Sequence, residues 1–204
     1  LRRDRHPFTI ALVQSSESSE PLLEREDAIA ALRSALQGAR SGDNGRLIFV
    51  GGEAGVGKTS LVDAFAAEQS ASSRVLRGAC DALFTPRPLG PLLDIADDVG
   101  GELTRLLAGE ARPHDVAAVL VRELGAGKTA VVVLEDLHWA DEATLDVMRL
   151  VARRLPRDAL VIGTYRDDEL GPAHPLRVVL GELATNGAIE RLKLEPLSPG
   201  AIAE

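Results

Sequence analysis

Cysteine is almost missing from this 204-residue chain, with Cys80 the only one. A single thiol excludes an internal disulfide framework and a cysteine metal cluster. The four histidines are scattered and show no metal-ligand spacing. No run approaches ~18 consecutive apolar residues, which excludes a membrane-spanning helix. The first twenty residues start basic, at Arg2, Arg3 and Arg5, but have no clean apolar signal core, so a cytoplasmic protein is expected. Positive charge is the minority, 23 Lys and Arg against 31 Asp and Glu, giving a net charge of -8. That argues against a broad basic face for nucleic acid within this piece. Among the cations lysine is rare, present only as Lys58, Lys128 and Lys193. What remains is a composition of 45% hydrophobic and 26% charged residues, that of a folded domain with a sizeable core.

The chain alternates short apolar runs with amphipathic stretches and contains no internal repeat. Residues 1–21 read as a tail or linker, polar and turn-rich around Gln14–Pro21, with 8–13 as a possible strand. Helical spacing predicts helices over 24–40, 58–69, 92–108, 115–124, 142–154 and 175–186. Strands are expected at 47–50, 75–77, 130–134, 160–164 and 189–194, and a Gly- and Pro-rich loop over 84–92. Ala130–Leu134 is continuously apolar and β-branched, as a strand buried on both faces must be. The alternation implies an α/β fold with a parallel sheet flanked by helices.

Gly52-Glu53-Ala54-Gly55-Val56-Gly57-Lys58-Thr59 carries the full eight-position phosphate-loop pattern between a strand and a helix. Glycines let the backbone curl so that N–H groups face phosphate oxygens, and the following helix adds its positive end. Lys58 supplies a cation for the β and γ phosphates and Thr59 a hydroxyl for Mg²⁺. These eight residues and the adjoining Ser60 are the candidate nucleotide-binding segment. Gly125-Ala126-Gly127-Lys128-Thr129 imitates the end of the pattern. Arg122 stands where the pattern needs its first glycine, and the segment precedes a strand, so it reads as a turn with a surface lysine.

The strand 130–134 runs into two carboxylates, Glu135 and Asp136. A strand-end acid is what Mg²⁺ needs beside a phosphate loop. Glu135 is therefore the metal-side candidate, with Thr59, and Asp136 the candidate that polarises the attacking water. Neighbours on a strand face opposite sides, so the chain must begin to turn here. In the next segment His138 is a weak ligand signal, Trp139 an anchor in a core or interface, and Asp141 a cap for the following helix. The next strand ends in Thr164-Tyr165-Arg166-Asp167-Asp168-Glu169. Thr164 and Arg166 can approach a γ-phosphate there; equally, Arg166 can pair with a neighbouring acid. Arg153, Arg154 and Arg157 read as a solvated helix end or as an arginine finger toward another subunit.

Several motifs in this order resemble the ATP-binding domain of STAND-type P-loop ATPases, an AAA-related branch, and within it the large LuxR-type transcriptional regulators. The resemblance covers 22–198. It rests on Leu22-Leu23-Glu24-Arg25-Glu26, the phosphate loop, Leu134–Asp141, Thr164–Glu169, His174-Pro175-Leu176 and Leu194–Ser198. Glu24 stands where the family usually has glycine. The resemblance implies an AAA-like core without its C-terminal lid, ATP, ADP and Mg²⁺ as ligands, and Arg25 near the adenine. It further implies a slow ATPase switch that rests with ADP and self-associates with ATP. Nucleic acid is then contacted only through output domains. Residues 199–204 would be the start of a lid in a longer regulator. Two other readings stand beside it, an assembly module with negligible hydrolysis and a small-molecule kinase that shares the phosphate loop. A stand-alone DNA-binding protein fits the acidic charge poorly.

Overall fold

The computed structural model describes residues 23–82, 87–184 and 187–198. The expected strand at 8–13 and the start of a lid at 199–204 lie outside the described residues. The apolar runs form one sheet of five strands. These are β1 (Arg46–Gly51), β2 (Arg74–Ala79), β3 (Ala130–Glu135), β4 (Ala159–Tyr165) and β5 (Ile189–Lys193). Their order is β2-β3-β4-β1-β5 and every neighbouring pair is parallel. The runs without polar alternation occupy the middle, where both faces are covered. The more polar β2 and β5 are the edges.

Alternate side chains of the central strands enter two separate cores. Ile48, Val50, Val131, Val133, Leu160 and Ile162 pack with α1 (Glu26–Ser41) and α2 (Lys58–Gln69), through Leu32, Leu36, Leu61 and Phe65. Leu47, Phe49, Val132, Leu134 and Val161 point to the other face. There they meet α3 (Gly90–Val99), α4 (Gly101–Leu107), α5 (Pro113–Leu124), α6 (Glu142–Ala152) and α7 (Pro175–Leu183). The result is an α/β three-layer fold with helices on both faces of a parallel sheet, as the alternation implied. No helix among the described residues is long and apolar enough to cross a membrane.

The helix expected over 92–108 is two helices. Gly100 and Gly101 have φ of 69° and 66°, and a left-handed pair cannot continue a right-handed helix. α3 also begins inside the expected 84–92 loop, at Gly90, because Pro91 suits a first helical turn and lacks only an N–H that would be unpaired there. α6 stops at Ala152 and α7 at Leu183, each short of the expected end.

Candidate nucleotide-binding site

β1 lies between β4 and β5, and the chain leaves it for α2 across residues 52–57. Gly52, Gly55 and Gly57 all have positive φ, of 157°, 75° and 93°. At Gly52 space also demands glycine: a Cβ would sit 2.8 Å from the Leu194 carbonyl oxygen and 2.9 Å from Val56 Cγ1. α2 has no side-chain cap and no acid in its first turn, whereas α1 has Glu26 and Asp27 there and α6 is capped by Asp141. The first N–H groups and the positive end of α2 are thus left for an anion. Lys58 is buried, and its Nζ donates to the carbonyls of Gly52 and Glu53, both at 2.8 Å. Burial and the Arg166 cation lower its pKa, opposed by the Asp136, Asp168 and Asp167 carboxylates. Glu53, Ala54 and Gly55 form the exposed lip, Val56 is buried beneath it, and Thr59 and Ser60 are exposed on the first turn.

Thr59 Oγ1 donates to Glu135 Oε2 at 3.0 Å, so the phosphate loop and the end of β3 meet. Asp136 then leaves the strand in the left-handed region, φ 54° and ψ 46°, which is the turn that two adjacent carboxylates required. Its backbone N–H donates to Thr164 Oγ1 at 3.1 Å, fastening the end of β3 to the buried Thr164 of β4. Glu135 therefore faces Thr59, and Asp136 lies on the side of Lys58, His138 and Arg166. A hydroxyl and a carboxylate are hard oxygen donors of the kind Mg²⁺ takes, one or two from protein and the rest from phosphate and water. No group of three or more His, Cys, Asp or Glu able to hold a metal occurs among the described residues. The donor set fits an ion carried with a phosphate better than a dedicated protein cage.

Beyond β4, Arg166 Nη1 donates to Glu169 Oε1 at 2.6 Å, so the pairing with a neighbouring acid is the one formed. Its guanidinium carbon also lies 5.1 Å from the centre of the Trp139 ring. Trp139, on the 3-10 turn Leu137–Trp139, packs against the core and stands 4.4 Å from the His138 ring. Asp141 caps α6 as expected, accepting from the N–H groups of Ala143 and Thr144, and also accepts from Leu89 N–H.

Arg25 is buried, away from the carboxylates of the β3 end. It donates to the carbonyls of Glu24 (3.0 Å), Val56 (2.9 Å) and Glu195 (2.9 Å), joining the start of α1 to the phosphate loop and to the segment after β5. Glu24 has a φ of 54°, the conformation glycine adopts without penalty. Its carboxylate is fixed by Ser198, whose N–H and hydroxyl donate at 2.8 and 2.5 Å. Gly125–Thr129 joins α5 to β3 with Lys128 exposed, at the opposite end of β3 from Asp136. The exposed Arg153 and Arg154 follow α6 toward that same end.

One neighbour of the site escaped the sequence reading and another was read there only as a weak ligand signal. Arg77 of β2 pairs with Asp63 at 2.6 Å and with Glu135 at 3.4 Å, holding the metal-side candidate from the side away from Thr59. Nothing local marks it, since β2 and α2 meet only in three dimensions. His138 sits wholly buried between Asp136 and Glu169, 3.9 and 3.6 Å from their nearest oxygens. The sequence marked it as a weak ligand signal, without its burial or its two carboxylate neighbours.

A protein-family profile described as "AAA ATPase domain" matches residues 21–162, well over half of the chain. Among curated protein sequences no significant match is found. Solved structures of similar fold include Cdc6p from Pyrobaculum aerophilum, at TM-score 0.62 and 17% identity over 92% of this chain and 50% of that one. Another is the Aeropyrum pernix ORC1 protein in complex with DNA, at TM-score 0.60 and 18% identity over 93% of this chain and 50% of that one. A third is the Aeropyrum pernix ORC2 protein in ADPNP–ADP complexes, at TM-score 0.54 and 18% identity over 84% and 47%. The chain spans about half the length of these proteins, and at such identities the likeness is one of fold.

Proposed function

Because the chain belongs to the AAA ATPase domain family, we propose that its phosphate loop binds ATP with Mg²⁺ and that the domain acts as a slow ATPase switch. The observation that carries this reading is the Thr59–Glu135 contact, which brings the hydroxyl of the loop and the strand-end acid to one point. Lys58 and the open N–H groups of α2 hold the phosphates. Thr59 and Glu135 hold Mg²⁺, which neutralises phosphate charge when bound. Asp136 takes a proton from the attacking water, and Arg166 with Thr164 addresses the γ-phosphate side. Arg25 shapes the adenine side through the Val56 and Glu195 carbonyls that it fixes. STAND-type and LuxR-type regulation, self-association with ATP, and nucleic-acid contact through output domains are the finer form of the same proposal. They rest on the Leu134–Asp141 motif.

Asp136→Asn tests the division of labour. ATP binding by calorimetry should stay within about threefold, while phosphate release falls by about two to four orders of magnitude. Undiminished turnover would move water activation to another group. Tight binding with no turnover in the unaltered protein would favour the assembly module.

A further inference from the structure

The side chain of His138 is wholly buried, yet its Nε2 has no hydrogen-bond partner among the described residues. Buried polar groups are nearly always paired, so an orphan next to a candidate site calls for a reason. The ring's protonation follows from its surroundings. Nδ1 faces the backbone N–H of Arg166 at 3.4 Å and accepts from it, which leaves the proton of a neutral ring on Nε2. Burial keeps the imidazole's pKa below its ordinary value, opposed by Asp136 and Glu169 and assisted by Arg166 and Lys58, so the ring is neutral at neutral pH. His174 Nε2 meets only the backbone carbonyl of His138, at 3.0 Å.

The Nε2–H faces Glu169 Oε2 at 3.6 Å, just beyond hydrogen-bond reach. The other oxygen of that carboxylate is taken by Arg166 at 2.6 Å. Arg166 in turn is close enough to Lys58 for the lysine to feel its charge. Glu169 thus holds Arg166, is also in hydrogen-bond interaction with the Trp139 side chain, and barely misses His138. An anion that draws Arg166 toward Lys58 strips Glu169 of its cation, and the orphan N–H of His138 is a buried, unpaired donor 3.6 Å from it.

We propose that His138 is a positioning residue that sets the site's preference for a nucleoside triphosphate over a diphosphate. It does so by accepting Glu169 when a terminal phosphate takes Arg166 away. The exchange moves no proton: the Arg166–Glu169 pair opens, an Arg166–phosphate pair forms, and His138 Nε2–H donates to Glu169. Satisfying the orphan donor offsets the lost ion pair. A diphosphate, with no group reaching Arg166, leaves the original pair closed.

The inference rests on the ATP-binding reading, and calorimetry with Mg²⁺ separates the two. No binding of a non-hydrolysable ATP analogue or of ADP to the unaltered protein would overturn that reading, and the inference with it. If both bind, the analogue should bind more tightly. His138→Phe, which keeps the ring but lacks the donor, should lower that preference about tenfold, with ADP affinity within twofold. His138→Gln, which restores an N–H, should recover most of it. A His138→Phe preference equal to that of the unaltered protein overturns the inference alone. So does the same tenfold loss when Glu169→Ala is already present, since the effect must run through Glu169. Should His138→Phe fail to fold, NMR of the ¹⁵N-labelled histidines in the unaltered protein decides. The analogue should slow exchange of the His138 Nε2–H with solvent and ADP should not; the same exchange with either nucleotide contradicts the proposal.

Discussion

At the scale of single residues the site is built from side chains whose surroundings work against their ordinary preferences. Asp136 holds a left-handed backbone, Lys58 is a buried cation, and His138 is a buried imidazole with an unpaired nitrogen. Such departures gather where function needs a fixed geometry. For His138 the consequence can be measured. Its folded pKa lies below the unfolded value of about 6.5. Between the two values the unfolded chain binds more protons, so stability rises with pH across that window and is lost as pH falls through it. Urea unfolding at a series of pH values should show this fall below about pH 6.5, and His138→Gln should flatten it. An unchanged slope in the variant would mean that other groups cause it. Thr59, Glu135 and Asp136 were legible in the sequence because each sits within a continuous motif. Arg77 and the triple carbonyl contact of Arg25 were not, because their partners are 58 and up to 170 positions away. Glu24 is an intermediate case. The sequence showed only that it stands where the resembled family usually has glycine; the φ of 54° is a conformation glycine adopts freely, and Ser198 fixes the carboxylate.

At the scale of elements, apolar periodicity placed the five strands and most helices of the described residues, and local stereochemistry split one helix and moved other ends. The 92–108 pattern is amphipathic throughout, so periodicity alone could not reveal that Gly100 and Gly101 break it. The α6 cap was readable from Asp141 and its following acid, but its second task was not: the same carboxylate receives Leu89 N–H at the start of α3. Asp141→Ala should therefore cost about 1–2 kcal/mol in urea unfolding, with the lost cap as the main term. A larger demand sits where α3 crosses β2. A Cβ on Gly78 would lie 2.0 Å from the Pro91 carbonyl oxygen, a backbone atom that cannot swing aside. Gly78→Ala should destabilise the domain by about 3 kcal/mol, as overpacking at a rigid contact does. A loss under about 1 kcal/mol would show that α3 can shift away from the sheet.

At the scale of the molecule, the strand order puts the ends of β3, β4 and β1 side by side, and Lys58, Thr59, Glu135, Asp136, Thr164 and Arg166 gather at those ends. Open parallel sheets bind ligands at the carboxyl ends of their strands where the order reverses. That order could not be read from the chain, since parallel pairing leaves no short-range signal. The sequence did place the phosphate loop and the acid pair after strands, which is enough to put both at the same edge. A ligand that binds only the folded state stabilises it by mass action. ATP at about 100 times its dissociation constant should add about 2.7 kcal/mol and raise the melting temperature by about 5–11 °C. The central claim is that residues 52–59 hold nucleotide phosphates through Lys58, and calorimetric titration of Mg-ATP into the unaltered protein and into Lys58→Ala tests it most directly. The account predicts binding to the former and a loss of at least about a hundredfold in the latter, the scale of two charge-assisted hydrogen bonds; equal affinity in both proteins would contradict it.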